Sequence, residues 1–142
     1  MTEIKKSPII SLDVYNITSQ KQQLTNVKAR PFYSLTYRKK GCAKINIDGK
    51  TIISKKDCIT LTPKNRAYTT EILEETNMIA IHFDCLSDNS FTTPFVIENS
   101  NKTEHLFDEV FEKYSAKDTT GFECYSVLYK ILAEIEAYFL KK

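Results

Sequence analysis

The chain has no tryptophan, three glycines, four prolines and two histidines among its 142 residues. Each scarcity removes a class of function. Gly41, Gly49 and Gly121 cannot form a G-x-G-x-x-G or Walker loop, so a phosphate cradle on a glycine-rich turn is excluded. His82 and His105 form neither an H-x-H nor an H-x-x-x-H pair. A catalytic metal centre needs about three nitrogen or oxygen ligands, so no metal is expected. Cys42, Cys58, Cys85 and Cys124 form no C-x-x-C pair and read as small core hydrophobes with reduced thiols. No G-x-S-x-G elbow serves nucleophilic catalysis. No stretch approaches the roughly 18 apolar residues of a membrane span, and the first residues lack the apolar core of a secretory signal. Twenty basic against eighteen acidic side chains give a net charge of +2, without the basic stripe of a direct nucleic-acid binder. The expectation is a cytoplasmic protein with no membrane contact, no cofactor and no catalytic residue, hence not an enzyme.

What is present has two periods. Up to about residue 84 the runs are short and strand-like. Ile10, Leu12 and Val14 alternate with polar residues, and Phe32–Arg38 is rich in aromatic β-formers. Ala43–Ile47 and Lys50–Ser54 flank Asp48-Gly49, which predicts a hairpin with a type I′ turn. Cys58–Thr62 is a further strand stopped by Pro63, and 69–73 and 77–83 read as a pair with Glu74 and Glu75 at a solvated tip. Many short strands without intervening helices mean a sandwich or barrel.

After Ser87 the period becomes helical. Asn101–Glu104 and Thr120–Glu123 resemble capping boxes, and they open helices over about 103–115 and 121–141. In the second, Leu128, Ile131, Leu132, Ile135 and Phe139 form an apolar stripe. That stripe packs either on the barrel or, in part, on the same helix of a second copy, which makes these five residues the candidate dimer interface. The plan is mainly β with C-terminal helices: an N-terminal arm and first strand over 1–20, a barrel over 21–86, and a helical part of the same domain over 87–142.

A barrel whose inside carries tyrosines and a few polar groups has the make-up of a small-molecule pocket. Tyr37, Tyr68 and His82 are the candidate ligand-binding residues, with Arg30 as a clamp for an anion or hydroxyl. The arm is expected to fold over the bound molecule.

Arg30-Pro31, the aromatic strand running to Gly41, and Ile47-Asp-Gly-Lys50 resemble the opening of the cupin sensor domain of AraC-type transcription regulators. Lys55–Pro63 is similar to that family's second signature, and Ile81-His-Phe83 followed by two helices completes the likeness over residues 10–142. The chain departs from the family at Tyr68, where a histidine is usual, and at Asp57-Cys58, where Gly-Asp is usual. The resemblance implies a cupin-like, jelly-roll barrel that binds a small effector, such as a sugar or related metabolite. It also implies a homodimer through the last helix. DNA would be read only by a helix-turn-helix domain that follows in the family and is absent from this chain, which ends at Lys141-Lys142. The competing expectation is a stand-alone cupin enzyme of the isomerase or oxygenase type.

Overall fold

The computed structural model describes residues 6–87, 90–116 and 121–141. Among these residues seven strands form one antiparallel sheet: β1 (Ile9–Ser19), β2 (Gln22–Val27), β3 (Tyr33–Ile47), β4 (Lys50–Lys55), β5 (Ile59–Thr62), β6 (Tyr68–Cys85) and β7 (Phe95–Ile97). A short 3-10 turn at Asn101–Thr103 leads into α1 (Glu104–Ser115) and α2 (Gly121–Leu140). The strand order is β1-β6-β3-β5-β7, with β2 added to β6 and β4 to β3. A mainly β chain closed by two C-terminal helices is therefore present, as the periodicities predict.

The strands differ from the sequence expectation in one instructive way. β3 and β6 each replace two expected strands, and they pair with each other from Tyr33↔Phe83 to Asn46↔Thr69. The ladder shifts register between Arg38 and Ala43, where one end of β3 changes partners from β5 to β4. Such shifts bend a strand and raise its twist. Gly41 sits in the bend with φ +88°, and a Cβ there would meet the carbonyl oxygen of Glu75 at 2.2 Å. The glycine that reads as the end of a strand is a hinge within one. Glu74 and Glu75 accordingly lie on β6 rather than at a hairpin tip, and Lys40 Nζ reaches Glu75 Oε1 at 2.7 Å.

Other expectations meet the structure with mixed results. Asp48 (φ +53°) and Gly49 (φ +75°) join Ile47 to its partner Lys50, as a two-residue type I′ hairpin requires. Asp57 has φ +65°, a left-handed conformation that a glycine would adopt freely. Thr103, not Asn101, is the residue preceding α1, and its side chain makes no capping hydrogen bond. Thr120 lies outside the described residues. The first segment is no loose arm beyond residue 8, since β1 pairs with β6 from Ile9↔Cys85 to Ser19↔Thr76.

Alternation along β3 divides the interior in two. Tyr33, Leu35 and Tyr37 point to one face, where they join Ile79, Ile81 and Phe83 of β6 in a core with both helices. Leu106, Phe107 and Val110 of α1 and Val127, Leu128, Ile131 and Ile135 of α2 complete that core. Burying each large side chain contributes roughly 1.5–3 kcal/mol. Leu128 and Ile131 are 0% exposed and Ile135 1%, so these three residues of the stripe expected to meet a second subunit are covered by this chain's own core, to which α1 and the sheet contribute. Leu132 and Phe139 pack at the margin of the same core, Phe139 with its ring 5.1 Å from Phe95. A helical stripe of period 3.6 looks the same whichever surface it covers, which is why the sequence left both readings open.

Three substitutions test this account by urea unfolding. Gly41→Ala should cost about 3 kcal/mol or more, because strain and backbone overlap act together, whereas Gly49→Ala, with open space around its Cβ, should cost about 1–2 kcal/mol. Ile135→Glu should destabilise the single domain by about 4 kcal/mol or more, rather than leave a folded chain that has merely lost a partner.

Candidate functional site

The second face of β3 carries Ser34, Thr36 and Arg38, and all three are buried. They are enclosed because the bend curls the sheet over them. Arg38 Nε donates to Ser54 Oγ of β4 at 3.0 Å, and Thr60 Oγ1 of β5 donates to the same oxygen at 2.8 Å. β4 and β5 pair with successive stretches of β3 on either side of the bend, so these bonds tie the two stretches together at the bend. The lumen is thus lined by hydroxyls and one guanidinium near the bend, and by Ala43, Ile45 and Ile47 of β3 and Ile72 of β6 beyond it.

At the mouth, three of the four residues expected to bind ligand come together. Arg30 Nη2 donates to the Tyr68 hydroxyl at 2.9 Å, and its guanidinium lies 4.8 Å from the centroid of the Phe32 ring. Phe32 stacks on His82 at 4.4 Å with an interplanar angle of 24°, and the Tyr15 ring lies 5.1 Å from the imidazole at a tilt of 53°. The result is a continuous run of contacts, Tyr68–Arg30–Phe32–His82–Tyr15, built from β1, the segment before β3, and both ends of β6. A cavity of about 440 Å³ adjoins Tyr68, lined also by Val27, Asn46 and Thr69.

Tyr37 does not join this group. It stands on the helix face of β3, 0% exposed, with its ring 5.5 Å from Phe107 and its hydroxyl donating to Asp57 Oδ1 at 2.8 Å. Burial and the Asp57 carboxylate push its pKa far above the ordinary tyrosine value. The alternation of β3 before the bend decides this: odd positions face the helices and even positions face the lumen. The same rule shows what sequence reasoning missed. Phe32 and Arg38 share the parity of Ser34 and Thr36, but an arginine on the polar side of a strand ordinarily reads as solvent-exposed.

His82 is buried enough that its pKa falls to about 4, with Arg30 acting in the same direction and Asp13 against it. Asp13 is the register partner of His82 on β1, and it accepts a 2.6 Å hydrogen bond from the Tyr114 hydroxyl of α1. Among the described residues, no group of three or more His, Cys, Asp or Glu side chains could hold a metal ion. His105 lies apart on α1, with Nδ1 2.9 Å from the Lys102 carbonyl oxygen. No helix among the described residues is long and apolar enough to cross a membrane.

No protein-family model and no curated protein sequence matches the chain. Solved structures do. ToxT from Vibrio cholerae O395, bound to (E)-4-(8-methylnaphthalen-1-yl)but-3-enoic acid, is similar at 11% identity over 91% of this chain and 58% of its own, with a TM-score of 0.60. This chain has a cupin-like fold. The cupin domain of Cnp3 from Schizosaccharomyces pombe matches 60% of this chain and 62% of its own at 13% identity, with a TM-score of 0.46. The EutQ protein of Clostridium difficile matches 54% of this chain and 59% of its own, again at 13% identity, with a TM-score of 0.47. The cupin-like chain spans about three-fifths of the length of each of these proteins. One expectation is corrected by the comparison. A single-site variant of oxalate decarboxylase from Bacillus subtilis, an enzyme, is also similar, at 14% identity over 66% of this chain and 30% of its own with a TM-score of 0.45. Missing catalytic motifs in the sequence therefore do not make this cupin-like chain a non-enzyme.

The His82 environment has a consequence for stability. Its folded pKa is depressed from 6.5 to about 4, so on acidification the unfolded chain takes up a proton before the folded one does. Stability should be full above about pH 6.5 and fall as the pH drops towards 4. His82→Gln should flatten that part of the profile, read from urea midpoints at about pH 7 and about pH 4.5.

Proposed function

We propose that this domain is the effector-sensing part of an AraC-type transcription regulator, in which a small molecule binds at the barrel mouth against Arg30, Tyr68 and His82. The observation that carries the reading is the mouth itself: a cation held among aromatic rings, one of which, Tyr68, also lines an open groove of about 440 Å³. Mostly apolar and aromatic walls with a few placed hydrogen-bonding groups are the usual make-up of a small-molecule site. The likeness to ToxT, an AraC-type protein bound to a small organic acid, supports the same direction, because it covers the strands and the helices alike.

In this reading the domain itself does not grip DNA, since its charges are nearly balanced; that role belongs to another part of the regulator. Pairing of two copies would use the surface of α2 outside the buried stripe, where Phe122 is 84% and Leu140 79% exposed. A ligand shifts such an assembly only through its different affinity for two states of the domain.

A thermal-shift panel of neutral sugars and small carboxylic acids tests the proposal. At least one compound should stabilise the wild-type domain, by about 2.7 kcal/mol when present at 100 times its Kd. Tyr68→Ala and His82→Ala should each weaken that compound by roughly tenfold, the effect of losing about 1.4 kcal/mol. A wild-type domain that responds to nothing in the panel removes the reading.

A further inference from the structure

Arg38 presents an unsolved electrostatic problem within the barrel. Its side chain is 3% exposed, and an arginine keeps its charge in any protein environment. Among the described residues, its side chain bonds from Nε to the neutral hydroxyl of Ser54, and buried Nη1 has no partner. Burial disfavours its charged form and lowers its pKa from the ordinary arginine value, and no carboxylate among the described residues forms an ion pair with it. The other buried cation among the described residues is treated differently: Lys64, 9% exposed, has Asp84 Oδ1 at 2.8 Å. Lys39, Lys40, Arg66 and Lys113 also have acidic partners. Burying a charge without a counter-charge is strongly unfavourable, and structures normally avoid it. With Nε committed to Ser54, the free end of the guanidinium is the Nη1/Nη2 fork, whose geometry fits a carboxylate in bidentate fashion.

We propose that Arg38 is the anion anchor of the lumen and takes the carboxylate of a small monocarboxylic acid, a proposal that rests on the barrel binding a small molecule. One guanidinium balances one negative charge, which favours a monoanion over a phosphate dianion. Thr36 and Thr60 supply further hydroxyls beside the head group, with Thr36 Oγ1 3.5 Å from the Thr60 carbonyl oxygen and Thr60 Oγ1 on Ser54. Ala43, Ile45, Ile47 and Ile72 offer apolar wall to the body of the acid. Met78 is the register partner of Arg38 on β6, and its unbranched side chain is the one that yields most cheaply as the molecule enters.

The test compares sodium octanoate, its neutral amide and inorganic phosphate against the wild-type domain by calorimetry and thermal shift. Octanoate should bind and stabilise, the amide should bind roughly 10- to 100-fold more weakly, the range of a lost charge-assisted bond, and phosphate should have no effect. Arg38→Met should lose octanoate by the same factor while remaining folded, because an apolar side chain of similar length removes an uncompensated charge. Arg38→Lys should retain part of the affinity and serves as the second variant if the methionine chain does not fold. Equal binding of octanoate and its amide, unchanged octanoate binding by Arg38→Met, or a preference for phosphate overturns the assignment. If instead a neutral sugar stabilises wild type and Arg38→Met alike and octanoate does nothing, the anion anchor falls and small-molecule binding stands. If no compound binds, both fall.

Discussion

The structure depends on the bend in the long β3–β6 ladder. A flat sheet would expose one face to water, and Ser34, Thr36 and Arg38 would lie on the solvent side of an ordinary two-layer protein. The shift in register around Gly41, where Glu75 leaves no room for a side chain, turns the second half of both strands over the first. Polar side chains at alternate positions are thereby taken out of water. Once enclosed, each needs an internal partner, and the Arg38–Ser54–Thr60 network meets most but not all of that need. The chemistry of the lumen is thus a by-product of how the sheet curls.

The helix layer is the other half of the same arrangement. Because β3 alternates strictly before the bend, turning its polar face inward turns Tyr33, Leu35 and Tyr37 outward, where they require a cover. α1 and α2 supply it with a continuous apolar surface. This explains why Leu128, Ile131 and Ile135 of the α2 stripe are buried within one chain, and why Tyr37 is a core residue fastened to Asp57 rather than a ligand contact.

Much of this is legible in the residues. The switch from period two to period 3.6 marks the order of elements, and Asp48-Gly49 marks a turn whose left-handed backbone both residues adopt. Arg30, Tyr68 and His82 stand out by residue type alone, although they are far apart in the chain. The failures have a common physical origin. Periodicity reports that a strand or helix has an apolar side but does not say what covers it, so the α2 stripe and the inward-facing Arg38 are both open to the wrong neighbour. Local pattern also reads a glycine between two β-runs as an end, because a bulge is defined by the partner strand and not by the strand itself. The short strands β2 and β7 give no sign of their own: five of the six residues of β2 are exposed, and β7 has only three residues.

Two tyrosines on the helices guard a margin of the sheet. β1 is a border strand, and border strands invite addition by a strand of another molecule. Here the Tyr129 hydroxyl accepts from the Ile9 amide at 2.8 Å, and the Tyr114 hydroxyl is bonded to Asp13. Asp13 and burial raise the Tyr114 pKa to about 12, so that phenol keeps its proton well into alkaline solution. The helices therefore clip this border at two points, and an invading strand would have to undo both before it could zip onto the free edge.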